Sequence, residues 1–261
     1  MYNSNYLKVF GLCGGIISST LSFGLTLASP INLASSPEYL VSLEFPPAPN
    51  REPPKSTAAG AVRGAVRGEP CVIKGVKPLT ALMPNRANQA KTVSSRPNFL
   101  FYIPPTKADL AQFTILDEQG KDVEVQEIQL GDTPGIIKVS LSPENALEIG
   151  QKYQWALTLI CKRLKISVNA HVSGEIERVT LDARVQSTLE TAQEPLAKAK
   201  IYANEQLWPE TLMVAGDLRT SQPKEWEQLL QSVGLQDFSQ EPFVNCCQAE
   251  SSFEIEKSST N

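Results

Sequence analysis

The sequence predicts a mainly β chain with a helical C-terminal part. Short runs alternate apolar and polar residues from Cys71 to about Val179, with turn signals about every 8–12 residues. After about Asp182 the apolar residues change to helical spacing. A hydrophobic content of 41% with 20% charged residues suits a globular protein with one or two domains.

The N-terminus fixes the expected compartment. Lys8 is the only charge ahead of residues 9–28, which carry none, and Thr26-Leu27-Ala28 sets small residues at the two positions a signal peptidase reads. The run is long enough to span a bilayer. Gly11, Gly14, Gly15, Gly24 and several Ser and Thr residues make it weakly apolar, however, and no basic stop-transfer cluster follows. Residues 1–28 are therefore expected to be a cleaved signal peptide; a cut after Ala34 and a retained anchor are the alternatives. Cys13 follows Phe10-Gly11-Leu12, which lacks the small residue of a lipobox. An exported protein, periplasmic or extracellular, is expected, with no stable membrane span after cleavage.

Residues 29–70 are expected to be a disordered linker. Pro46-Pro47-Ala48-Pro49 and Pro53-Pro54 precede a tandem Gly-Ala-Val-Arg that carries Arg63 and Arg67 and has too little apolar surface to offset ordering. Residues 51–97 hold nine Lys or Arg against two acids, whereas residues 98–261 hold 14 against 24. A basic arm thus precedes an acidic body, and Arg63 and Arg67 are candidate partner-binding residues. Export and the absence of interleaved aromatics argue against nucleic acid. The Gly-Arg stretch lacks the Lys-Ser/Thr ending of a phosphate-binding loop.

Residues 71–183 form the expected β domain. Phe99, Phe101 and Ile103 alternate with Leu100 and Tyr102 until Pro104-Pro105. Phe113 and Ile115 lead into Asp117-Glu118-Gln119-Gly120, with Val123 and Val125 beyond it, a hairpin. Residues 131–135 form the next turn, before Ile137, Val139 and Leu141. Tyr153, Trp155, Leu157, Leu159 and Cys161 share one face, and Ile166, Val168, Ala170 and Val172 follow. Leu147, Gly150 and Tyr153 have the spacing of a tyrosine corner, in which a tyrosine hydroxyl ties the corner to upstream backbone. The expected architecture is accordingly an immunoglobulin-like antiparallel β-sandwich.

Residues 184–243 are expected to be a short helical appendage, with helices starting near Pro195, Pro209 and Pro223, where a first turn tolerates proline. Trp226, Leu229, Leu230 and Val233 make one apolar stripe, ended by Gly234. Trp208 and Trp226 are candidate partner-binding residues on these helices. Residues 244–261 are expected to be a disordered tail.

Without Cys13, four cysteines remain, which permit three pairings in an oxidising compartment. Cys71 with Cys161 is the expected disulfide, because both sit at the edges of strand-like runs. Cys246 and Cys247 are adjacent and fit free thiols or an intermolecular bridge better; nothing near them supplies further metal ligands. His171, the only histidine, has Asn169 and Ser173 as same-face neighbours and should face solvent. No Gly-x-Ser-x-Gly elbow accompanies it. Asp117, Glu118, Glu175 and Glu177 could in principle form an acid pair, and Phe99, Phe101, Tyr102, Tyr153 and Trp155 could line a sugar-binding surface. No catalytic residue, metal or cofactor is expected.

The order of local motifs resembles a known family. Arg67-Gly68 before Cys71, Leu79-Thr80-Ala81-Leu82-Met83-Pro84, Arg96-Pro97 leading to Phe101-Tyr102-Ile103-Pro104, and Gly135-Ile136-Ile137 occur in sequence. Gly150 to Tyr153 and Trp155, Ile160-Cys161, Gly174-Glu175-Ile176-Glu177-Arg178, Tyr202 through Trp208, Trp226-Glu227-Gln228-Leu229-Leu230 and Val233-Gly234-Leu235 follow. From the linker to about Phe243 the chain resembles domain of unknown function 928, an uncharacterised family of exported, mainly cyanobacterial proteins. The tandem Gly-Ala-Val-Arg and Cys246-Cys247 depart from that pattern. The resemblance implies no activity or site; it implies partnership with a larger envelope or secretion system. The expected function is a non-enzymatic extracytoplasmic adaptor, with an envelope carbohydrate-binding module and a carboxylate-dependent hydrolase as alternatives.

Overall fold

Among the described residues the chain forms eight strands: β1 (Thr80–Ala81), β2 (Gln89–Thr92), β3 (Asn98–Ile103), β4 (Leu110–Leu116), β5 (Asp122–Gln129), β6 (Gly135–Ser140), β7 (Lys152–Ile160) and β8 (Ala170–Arg178). The structure, a computed structural model, describes residues 42–47, 72, 75–84, 88–161 and 170–244, all within one compact unit. The expected signal peptide, Arg63, Arg67, Cys71, Ile166, Val168, Cys246 and Cys247 lie outside the described residues.

The strands form two sheets, ordered β1-β3-β6 and β2-β8-β7-β4-β5. Every ladder is antiparallel except β2 with β8, which is parallel. The sheets meet face to face through aromatic rings. Phe99 of β3 lies 5.1 Å from Phe113 of β4 and 5.6 Å from Trp155 of β7, and Phe101 packs on the same pair. Tyr153, Trp155, Leu157 and Leu159 are buried on one face of β7, as their spacing predicts. Gly174 of β8 is needed here: a Cβ would stand 2.5 Å from the Trp155 ring and closer still to the Asn88 carbonyl. The tyrosine-corner spacing produces the bond it predicts, from the Glu148 backbone to the Tyr153 hydroxyl. The protein is mainly β and sandwich-like, with short helices after the sheets.

Those helices are α1 (Ala183–Thr191), α2 (Pro195–Asn204), α3 (Trp208–Leu218) and α4 (Pro223–Ser232), followed by a 3-10 turn at Gln236–Phe238. Asp182 caps α1 by accepting the Arg184 N–H. Proline stands in the first turn of each of the other three.

Residues 99–103 are buried on both faces of β3. Phe99 and Phe101 meet the second sheet, while Tyr102, on the opposite face, packs 5.1 Å from Phe238. The Trp208 indole N–H donates to the Leu82 carbonyl at 2.7 Å, which joins α3 to the chain just after β1. The helices are thus a third layer sharing the sheets' core, not an appendage.

In β5 the ladder slips by one residue. Ile115 pairs with Glu124, but Leu116 pairs with Asp122. Such a bulge changes which side chains face inward. Val125 is 52% exposed, whereas Glu124 is 3% exposed. Burial of Glu124 is tolerated because its carboxylate accepts the Ser142 N–H and hydroxyl and the Asn145 amide.

Finally, residues 42–47, which fall inside the expected linker, are packed against the helices. Leu43 is fully buried and Phe45 is 7% exposed.

Candidate functional site on the helical layer

The residues that receive this N-terminal strap are set by helix ends. Gln206 has φ of 62°, a left-handed conformation that ends the α2 turn. Its N–H bonds the Ala203 carbonyl, the Leu207 N–H bonds that of Tyr202, and Trp208 then opens α3. The Gln206 side-chain amide donates to the Pro46 carbonyl at 2.9 Å. Glu225 in the first turn of α4 and Ser232 at its end are seven residues apart, two turns, and so lie on one face.

The strap lies extended across this surface. The Leu43 N–H donates to the Glu225 carboxylate at 2.6 Å, and the Phe45 N–H donates to the Ser232 hydroxyl at 3.0 Å. That hydroxyl in turn donates to the Leu229 carbonyl, which fixes its rotamer. The Phe45 ring stands edge-on to Trp208, with centroids 4.9 Å apart and an interplanar angle of 82°. Glu44, between the two anchors, is exposed. Side chains of the helices therefore read the strap's backbone, and two alternate apolar side chains supply the buried surface.

A second polar node fixes α3. One Glu210 oxygen accepts the Thr92 hydroxyl at 2.6 Å and the Val93 and Ser94 N–H groups at 2.9 and 3.1 Å, which ties the end of β2 to the helix. Burial and the nearby Glu210 charge raise the Tyr202 hydroxyl pKa above its ordinary value. At the other end of the layer, residues 242–244 join the β6 edge. The Ile136 N–H donates to the Pro242 carbonyl at 2.7 Å and the Val244 N–H to the Ile136 carbonyl at 2.9 Å. Gly135 permits this approach, since a Cβ there would stand 2.5 Å from the Pro242 oxygen. Phe243 packs 5.7 Å from Trp226 and 3.9 Å from the Arg219 guanidinium.

The two tryptophans expected to meet a partner are core residues. Trp208 is 1% exposed and Trp226 is 2% exposed. Each also satisfies its indole N–H inside the fold, Trp208 on Leu82 and Trp226 on the Ser239 carbonyl. Helical spacing places Trp226 on an apolar stripe, but the residues that cover Trp208, Leu82 and Phe45, are distant in sequence.

Other expected residues fall as follows. Cys161 follows β7, is half-buried and is disulfide-bonded. His171 is exposed. Asp117 accepts the Gln119 and Lys121 N–H groups of its turn, and Glu175 accepts the Gln89 amide across β2–β8. Phe99, Phe101, Tyr102, Tyr153 and Trp155 are all buried, which leaves a sugar-stacking surface without the residues expected to form it.

Gln206, Glu225, Ser232, Leu43 and Phe45 were not singled out by sequence. The Pro-rich context hid the strap, although Val41, Leu43 and Phe45 alternate as a strand would.

A family model described as Domain of Unknown Function (DUF928) matches residues 58–243. The chain belongs to this family. No curated protein and no solved structure matches it. Gln206, Trp208, Glu225 and Ser232 lie inside the DUF928 match, whereas the strap at residues 42–47 lies outside it. The match ends at Phe243, where the chain joins the β6 edge. Among the described residues no helix is long and apolar enough to cross a membrane, and no cluster of three or more His, Cys, Asp or Glu could hold a metal ion.

Proposed function

We propose that this DUF928 protein is a non-enzymatic, extracytoplasmic adaptor of the cell envelope that works by binding another protein. The observation that carries this reading is the strap on the helical layer, where an extended segment is held by Glu225, Ser232 and Gln206 through its backbone and by Trp208 through Phe45. That is the mode in which extended peptides are recognised: main-chain bonds supply affinity and alternate side chains supply specificity. The charge-poor run at residues 9–28 and the pairing of Cys71 with Cys161 in an oxidising compartment belong to the same proposal. The basic arm with Arg63 and Arg67 would keep the body at a distance from its anchor or partner.

The test is gentle crosslinking of the tagged protein in its native envelope, then affinity purification and mass spectrometry of bait and partners. A bait beginning at Ser29 with stoichiometric partner proteins is the expected result. A bait that emerges alone or with glycan counts against the adaptor.

A further inference from the structure

We infer that the groove between Gln206, Trp208, Glu225 and Ser232 is a docking site for an extended segment of a partner protein, one that presents a large aliphatic and an aromatic side chain on either side of a polar residue. In this chain Leu43-Glu44-Phe45 occupies the groove in cis. The inference deepens the adaptor reading and rests on it.

Three observations define the ligand. Both recognised N–H groups are taken by side chains, the Glu225 carboxylate and the Ser232 hydroxyl, and these bonds read backbone spacing, not residue identity. The anchors sit two residues apart, so only an extended chain sends both to the same side. Leu43 is fully buried and Phe45 packs edge-on to Trp208, while Glu44 is exposed and its carboxylate accepts the Ser42 hydroxyl of the strap itself, so the middle position favours a polar residue.

The occupant is separable from the domain that holds it. The groove lies within the DUF928 match at residues 58–243, and the strap precedes that match. Twenty-four positions, 48–71, separate the strap from Val72 in the sequence. A tethered strap competes at an effective concentration in the millimolar range, which a free partner peptide must overcome. The cis segment therefore sets a threshold: a partner gains the groove when its local concentration is high or when the strap is held elsewhere.

The probe is a fluorescent peptide with the sequence of residues 39–49, titrated into the purified full chain. A chain carrying Leu43→Asp and Phe45→Asp should bind it about tenfold or more tightly than the wild-type chain, because its own strap no longer competes. A peptide with aspartate at both anchor positions should bind neither. Equal binding of the two peptides, or equal affinity for the two chains, overturns the inference.

A second arm keeps the wild-type side chains. With a protease site inserted between Pro54 and Lys55, the cut N-terminal piece should stay with the body on gel filtration and be released by excess peptide. Its loss on cutting, with no peptide binding afterwards, also overturns the inference. Peptide binding without any envelope partner would keep the groove and remove the adaptor reading; partners without peptide binding would do the reverse.

Discussion

The Tyr153 hydroxyl accepts a hydrogen bond from the Glu148 backbone N–H at 2.8 Å, across the turn that leads into β7. Arg178 at the end of β8 donates to the adjacent Leu147 carbonyl, so two strands of the larger sheet grip one short segment. Tyr153→Phe keeps the ring and removes the acceptor. The loss of about 1–2 kcal/mol expected for an unpaired N–H should appear as a melting point lower by about 2–8 °C. An unchanged melting point would show that water replaces the hydroxyl.

Trp208 joins the sheets, the helices and the strap, through Leu82 and Phe45. Trp208→Ala should destabilise the protein by about 3–5 kcal/mol in urea unfolding, as expected for a deleted core aromatic. A surface residue would leave the unfolding midpoint nearly unmoved.

Glu124 is the acceptor for three donors in the 142–145 turn. Glu124→Ala strands those donors and should cost about 1–3 kcal/mol. Glu124→Gln, which keeps an acceptor oxygen, should recover part of that loss. Equal melting points for the two variants would refute the pairing.

Burial, reinforced by the nearby Glu241 charge and opposed by Lys77, raises the Tyr102 pKa above 10.0 in the folded protein. A raised folded pKa contributes stability that is complete below the unfolded pKa and is lost as pH climbs through the folded value. Stability should therefore fall above about pH 10, and Tyr102→Phe, which retains a ring against Phe238, should flatten that fall. Ultraviolet phenolate absorbance and thermal unfolding against pH would follow both effects.

Cys161 is disulfide-bonded, and peptide mapping without reductant should recover Cys71 as its partner. Reduction of a bridge between Cys71 and Cys161, which would close a loop of about 90 residues, should lower stability by about 2–5 kcal/mol. Recovery of Cys161 with Cys246 or Cys247 would overturn the pairing.

Much of the fold was legible because local chemistry imposed it. Alternation placed β3, β4, β6 and β7, the Asp117 turn closed its hairpin, and first-turn prolines marked three helices. The Tyr153 spacing yielded its hydrogen bond without any view of the sheets. The failures came from non-local facts. A one-residue slip turned Glu124 inward in place of its valine neighbours. Trp226 carries a clear helical stripe and Trp208 opens the helix before it, but nothing near Trp208 in sequence announces Leu82 or Phe45 as its covers. The seat of the strap was illegible for the same reason: the strap lies more than 150 residues upstream of Gln206, in a stretch dominated by proline.

The parallel pairing of β2 with β8 bears on how the chain reaches this form. Gln89 meets Glu175 across 86 residues, and Phe45 meets Ser232 across 187. Contacts that distant must wait for loop closure, so a topology of this kind condenses slowly compared with one of neighbouring pairs. The larger sheet needs Gln89–Thr92 and Ala170–Arg178 together, and the seam at Ile136 waits for Pro242, 106 residues further along the chain. Late closure keeps the polypeptide open and threadable until both members of each distant pair are present.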